Sequence, residues 1–146
     1  MTLTVSVSLL APAAALALWS IIVMFWMAAK RFPALKVAKI PKEIIVGGRG
    51  QDLDKILPPR TNWPAHNYAH LMEQPTIFYP VIVILAVLGQ GTALNIALAW
   101  AYVGLRIIHS VWQIQVNTIP LRATIFFVSS LVLMVLTINA LVAALH

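Results

Sequence analysis

The chain has 146 residues, 61% of them hydrophobic and only 10% charged, with a mean hydropathy of +0.90. Soluble domains carry about 25% charged residues, so an ordinary cytosolic globule is excluded, and the absence of cysteine removes disulfide scaffolds, thiolate metal ligands and cysteine nucleophiles. The net charge of +6 is concentrated in one segment, which argues for a membrane-flanking loop and against a nucleic-acid surface.

A bilayer core about 30 Å thick needs roughly 20 apolar residues per helix, and residues 1–29, 74–105, 107–121 and 123–146 contain no Lys, Arg, Asp or Glu. The first predicted span covers about residues 3–29 and ends at Lys30 and Arg31. It lacks a basic leader and its apolar run continues past Ala15 and Ala17, so a retained helix is expected rather than a cleaved signal peptide. Ala11/Ala15 and Ala13/Ala17 repeat at the small-residue spacing that permits close helix approach. Residues 30–66 read as a loop that holds eight of the ten basic side chains and is interrupted by Pro33, Pro41, Pro58, Pro59 and Gly47-Gly48-Arg49-Gly50. The positive-inside bias places this loop in the cytosol and both termini on the other side. The glycine run lacks the Lys-Ser/Thr ending of a phosphate-binding loop, so no nucleotide site is expected.

The second span is predicted over about residues 67–88, bent by Pro75 and Pro80. Gly89-Gln90-Gly91-Thr92 supplies a turn and a helix cap, followed by a third span over about residues 93–116. Asn117-Thr118-Ile119-Pro120 closes that helix and opens the fourth, about residues 121–145. The expected fold is an all-α integral membrane protein, one domain built as a four-helix bundle.

Polar residues in the middle spans are few and regularly spaced. His66, His70 and Glu73 fall at i, i+4 and i+7, and Tyr102, Arg106, His109 and Gln113 fall at i, i+4, i+7 and i+11; each set shares one helical face. A hairpin turning near residue 90 brings Glu73 level with Arg106, His70 with His109, and His66 with Gln113. A carboxylate or guanidinium costs about 2.5–3.5 kcal/mol at the centre of a spanning helix. Glu73 and Arg106 are therefore predicted to pair and to face a polar cavity, where Lys30, Arg31 and Arg122 add the positive charge that suits an anion. The plain alternative is an ion pair that only orients helices. His66, His70, Glu73 and His109 imitate a metal-binding face, but without further carboxylates no metal site is expected. The tryptophans are read as bilayer and packing residues, and Ser129, Ser130 and Asn139 as interhelical hydrogen-bonding groups.

The segment His66-Asn67-Tyr68-Ala69-His70-Leu71-Met72-Glu73-Gln74-Pro75-Thr76-Ile77-Phe78-Tyr79, together with Ala29-Lys30-Arg31, Arg106-x-x-His109 and Arg122, resembles the MAPEG family, membrane-associated proteins in eicosanoid and glutathione metabolism. The phrases Glu73-Gln74-Pro75-x-x-Phe78-Tyr79 and Trp100-Ala101-Tyr102-Val103-x-Leu105-Arg106-x-x-His109 look like its bacterial branch, and so a bacterial inner membrane. The resemblance implies a homotrimer that binds glutathione as co-substrate between subunits on the cytosolic side, with a lipophilic electrophile entering from the lipid. It implies Arg31 or Arg122 as the catalytic cation that stabilises the thiolate. Lys30, His66, His70, Glu73, Tyr102, Arg106, His109 and Gln113 would be substrate-binding residues. The family's second-helix motif has Arg, then Asn, then Glu; here His66 and His70 stand at the first two positions and Glu73 is kept. Tyrosines of the eukaryotic third helix fall at His109 and Gln113. The activity implied is a glutathione-dependent transferase or peroxidase. A non-catalytic lipid-binding or scaffold protein is the alternative; a small proton-coupled exporter fits poorly, because the first span has no acidic residue.

Overall fold

The computed structural model describes residues 5–145. Four helices in it are long and apolar enough to cross a membrane: Val7–Val37, Pro59–Val87, Ala93–Gln115 and Ile119–Leu145. Helix α1 (Leu10–Val37) begins after a short 3-10 turn at Val7–Leu9. Its buried residues, Pro12, Leu16, Ser20 and Val23, form one narrow stripe at helical spacing. Leu18, Ile21, Ile22 and Phe25 are exposed. A largely apolar helix with so little of its surface covered by its own chain is suited to crossing a membrane. The helix does not stop at Ala29 but carries on through Lys30, Arg31 and Pro33 to Val37. The charges mark the end of the apolar run rather than the end of the backbone helix, since Lys and Arg are good helix formers.

After a one-turn helix α2 (Lys42–Ile45), the second span begins at Pro59, earlier than the apolar pattern alone indicates. It is two helices, α3 (Pro59–Leu71) and α4 (Pro75–Val87), separated at Met72-Glu73-Gln74. Proline accounts for both boundaries. Pro59 suits a first helical position, and Pro75 has no N–H to return to the Leu71 carbonyl, so the helical ladder breaks there. Helix α5 (Ala93–Gln115) starts after Thr92, whose hydroxyl accepts from the Asn95 N–H at 3.2 Å. Helix α6 (Ile119–Leu145) follows a tight turn in which Asn117 has φ 59°, a left-handed conformation that asparagine tolerates.

α1 packs on α3, α4 and α5, while α6 packs on α4 and α5, so the middle hairpin lies between the outer helices. The core joins Leu16 and Val23 of α1 to Phe78, Ile82 and Leu85 of α4, Tyr102 and Val103 of α5, and Leu136 of α6. Ala11 and Ala17 are exposed and Ala13 and Ala15 half-buried, so the small-residue repeat is only partly used within the chain. Asn139 donates to Asn95 at 2.8 Å and Ser130 accepts from Gln74 at 2.7 Å, both between elements. Ser129, expected to do the same, donates to the Phe126 carbonyl of its own helix at 2.8 Å. That geometry is the usual local solution for a serine inside a helix.

The N-terminal segment is tied across the α4–α5 turn: Ser6 donates from its backbone to the Ala86 carbonyl at 2.9 Å, and the Gly91 N–H donates to Ser6 Oγ at 3.0 Å. A Cβ built on Gly91 would lie 2.6 Å from Ser6 Cβ and Oγ. Gly91→Ala is therefore expected to destabilise the protein by about 1–3 kcal/mol, as overpacking does. Thermal unfolding in detergent checks it; an unchanged melt would mean that the Ser6 strap contributes nothing.

Candidate functional site

The polar stripe runs from the middle of the bundle toward its opposite end, where α1 ends, α3 begins, α5 ends and α6 begins. Arg106 is fully buried, and its Nη2 donates to the His70 backbone carbonyl at 2.9 Å. That carbonyl is accessible because the helix breaks just beyond it. The expected Glu73–Arg106 ion pair is absent among the described residues, where the arginine–carboxylate pair is Arg31–Asp54 and the imidazoles of His66 and His70 meet Asp54 and Glu73. Glu73 Oε2 lies 2.7 Å from His70 Nδ1, and its side chain is 67% exposed. The physical reason is the break itself: Glu73 sits in the non-helical turn, so its carboxylate turns back to His70 at the cavity and not inward to Arg106. Gln74 takes the inward position instead, accepting from Tyr102 Oη at 3.1 Å and donating to Ser130 Oγ at 2.7 Å. Gln74 was missed because unbroken helical periodicity points it elsewhere; the adjacent Pro75 is the signal that could have found it.

The remaining cross-helix register is mixed. His70 and His109 do face one another, with ring centroids 5.0 Å apart. Gln113 Oε1 accepts from Asn67 Nδ2 at 2.8 Å, not from His66, and Asn67 is fully buried. His66 turns outward to Asp54, with Nε2 2.8 Å from Oδ2.

A cavity of about 340 Å³ opens between α3, α5 and α6, lined by His66, His70, Glu73, His109, Gln113, Ile119, Arg122, Ala123 and Phe126. This volume lies at the lower end of the roughly 300–1,000 Å³ typical of small-molecule sites. Arg122 is held at its edge by donating to Asn117 Oδ1 at 2.6 Å. Tyr102 and Arg106, expected among the lining residues, are buried behind it: Tyr102 stacks on Phe78 at 4.5 Å, and the Arg106 guanidinium lies 5.8 Å from the Phe126 ring centroid. His109 Nδ1 and Arg106 Nε and Nη1 are buried without hydrogen-bond partners.

The cations expected to pool in one cavity are distributed among several places. Arg31 donates to the Gly50 carbonyl, Asp54 Oδ1 and Asn62 Oδ1, each at 3.0 Å, which clamps the long loop onto α1 and α3. It lines a second cavity of about 580 Å³ with Arg49, Gln51, Asp54 and His66. Lys30, one helical position away, lines a third of about 260 Å³ with Trp26, Arg60, Trp63 and Gln115. Consecutive helical residues point about 100° apart, and Lys30 and Arg31 accordingly line different cavities of the chain. Only His66 is shared between the first two cavities. No group of three or more His, Asp or Glu among the described residues converges as a metal site would require.

The first cavity thus joins one permanent cation, Arg122, one carboxylate, Glu73, and the imidazoles of His66, His70 and His109, with an apolar wall at Ile119 and Phe126. Such a lining suits a small ligand that carries both charges and a less polar part. The chain matches no curated protein and no solved structure. A family model does match: residues 9–142 of the 146 fit that of the MAPEG family, and the chain belongs to it.

Proposed function

We propose that this protein is a glutathione-dependent transferase or peroxidase acting on lipophilic electrophiles, with its site in the cavity between α3, α5 and α6. Family membership supports a membrane role related to glutathione in general. The observation that carries the finer reading is that Arg122 and Glu73 line one cavity together with His70 and His109. Glutathione brings two carboxylates, one ammonium and a thiol. Glu73 would hold the ammonium and Arg122 the negative charge of the sulfur, because a neighbouring guanidinium lowers a thiol's pKa. The thiol proton would pass to solvent, because His109 Nδ1 is buried away from the cavity. Glutathione supplies the nucleophilic sulfur, and the apolar wall of the cavity faces the electrophile.

Arg31 is committed to three oxygens of its own chain, so Arg122 is the cation assigned to the thiolate and Arg31 the clamp of the loop. With Arg122 on the sulfur, the lining leaves no permanent cation for the two carboxylates, and a neighbouring subunit would supply the cations. The assembly proposed is accordingly a homotrimer in a bacterial inner membrane, with this end of the bundle in the cytosol, both termini outside and the electrophile arriving from the lipid. Purified protein in detergent should conjugate glutathione to a lipophilic aryl halide; no conjugation at millimolar glutathione would overturn the proposal.

His66 stands where the resemblance expects arginine, whose permanently charged guanidinium offers five donors in a planar fork. His66→Arg is expected to tighten glutathione binding about tenfold, since charge-assisted hydrogen bonds contribute roughly 1.5–3 kcal/mol. Isothermal titration checks this, and unchanged affinity would place glutathione away from the His66 edge.

A further inference from the structure

The cavity that holds Lys30 lies between α1, α3 and α5 and shares no lining residue with the proposed catalytic cavity. We propose that it binds the phosphate of an anionic phospholipid. Two cations converge on it from different helices, Lys30 from α1 and Arg60 from α3, and Gln115 adds an amide from α5. Among the described residues neither cation has a carboxylate within ion-pairing distance, whereas Arg31, next to Lys30, is neutralised by Asp54 at 3.0 Å. The Arg60 guanidinium lies 5.6 Å from the Trp63 ring centroid, a cation–π contact that holds it in place while leaving its donors free for phosphate oxygens. Thr61 of the first turn of α3 also lines the cavity, so the positive end of a 13-residue helix points the same way.

The chemistry shared by all candidate ligands is a phosphate; the surroundings favour one esterified in a lipid. Trp26 and Trp63 flank the cavity, and indoles belong at the boundary between headgroups and acyl chains. The cavity, about 260 Å³, admits a phosphate and its glycerol but not the chains. Those have a route along the helices. Exposed Ile22 and Leu18 follow Trp26 at four-residue spacing on α1, and exposed Val111 and Ile108 follow Gln115 on α5. The site therefore offers cations at the headgroup and unbroken apolar surface below it, on two helices that pack together.

The test uses the full chain in neutral detergent, titrated with dioleoyl phosphatidylglycerol or dioleoyl phosphatidylcholine and read by native mass spectrometry. The wild type should retain the anionic lipid preferentially. Lys30→Gln/Arg60→Gln should weaken that retention about 30-fold, from about fivefold per basic residue near a membrane surface. Each single variant should give an intermediate loss, and a matched melting curve confirms folding. Lys36→Gln/Lys39→Gln removes the same charge outside the cavity and should leave the preference unchanged. Equal retention of the two lipids, or an equal loss in the Lys36/Lys39 control, would overturn the proposal. Displacement of the lipid by millimolar inorganic phosphate would also overturn it, by showing a site for the free anion.

Discussion

Arg122→Ala is expected to lower kcat/KM for glutathione conjugation by about 100- to 1,000-fold, the size of effect seen when a donor that stabilises developing or transferred negative charge is removed. The expectation rests on position. Arg122 is the one permanent cation lining the cavity that also contains Glu73 and the three imidazoles. Its guanidinium is aimed by Asn117, at 2.6 Å, in a turn whose left-handed residue fixes where α6 begins. Because Arg122 is only half-buried, its loss should leave the bundle folded, and the effect should appear as lost activity at unchanged thermal stability. Arg122→Lys keeps the charge but not the planar fork, and should recover part of the rate. Arg31→Ala should behave differently. It breaks three contacts that hold the loop, so it should loosen that loop and change activity far less. Steady-state kinetics with glutathione and a lipophilic aryl halide separate these outcomes; a larger loss in Arg31→Ala than in Arg122→Ala would move the thiolate to the other cavity.

The second large effect is on stability. Arg106 is the largest fully buried side chain among the described residues, and its one hydrogen bond goes to the carbonyl released where α3 ends. Arg106→Ala should cost about 3–5 kcal/mol, the range for emptying a large core position. Arg106→Met keeps most of the volume and removes a buried charge whose Nε and Nη1 have no partners. It should cost only about 1–3 kcal/mol, mainly for leaving the His70 carbonyl unsatisfied. Reversible unfolding in mixed detergent micelles measures both. If the methionine variant were as unstable as the alanine variant, the charge rather than the packing of Arg106 would be what holds the two helices together. Either variant should also disturb the turn that carries Glu73, because the same carbonyl anchors it.

Apolar run length made the membrane bundle legible, because lipid imposes a length on every span. Thr92 marked the start of α5 through ordinary capping chemistry. The pairing of His70 with His109 followed from counting residues on either side of a turn. Counting failed one helical turn further on, where Pro75 ends the ladder and exchanges Glu73 for Gln74 at the inward position. A proline announces that a helix will break, but not by how much the following residues rotate. The dispersal of the basic residues was also invisible. Arg31 meets oxygens 19 to 31 positions away, and no local pattern encodes where a proline-rich and glycine-rich loop folds back. Lys30 and Arg31 were read as one cationic doublet, although adjacent residues on a helix face different neighbours.

The most direct measurement is an ultraviolet difference titration of the purified protein with glutathione, read at the thiolate absorbance near neutral pH. A saturable thiolate signal in the wild type and in Arg31→Ala, lost in Arg122→Ala at equal protein stability, is the result predicted for a sulfur held beside Arg122. A wild type that gives no signal at millimolar glutathione, or an Arg122→Ala variant that keeps it in full, would contradict the assignment.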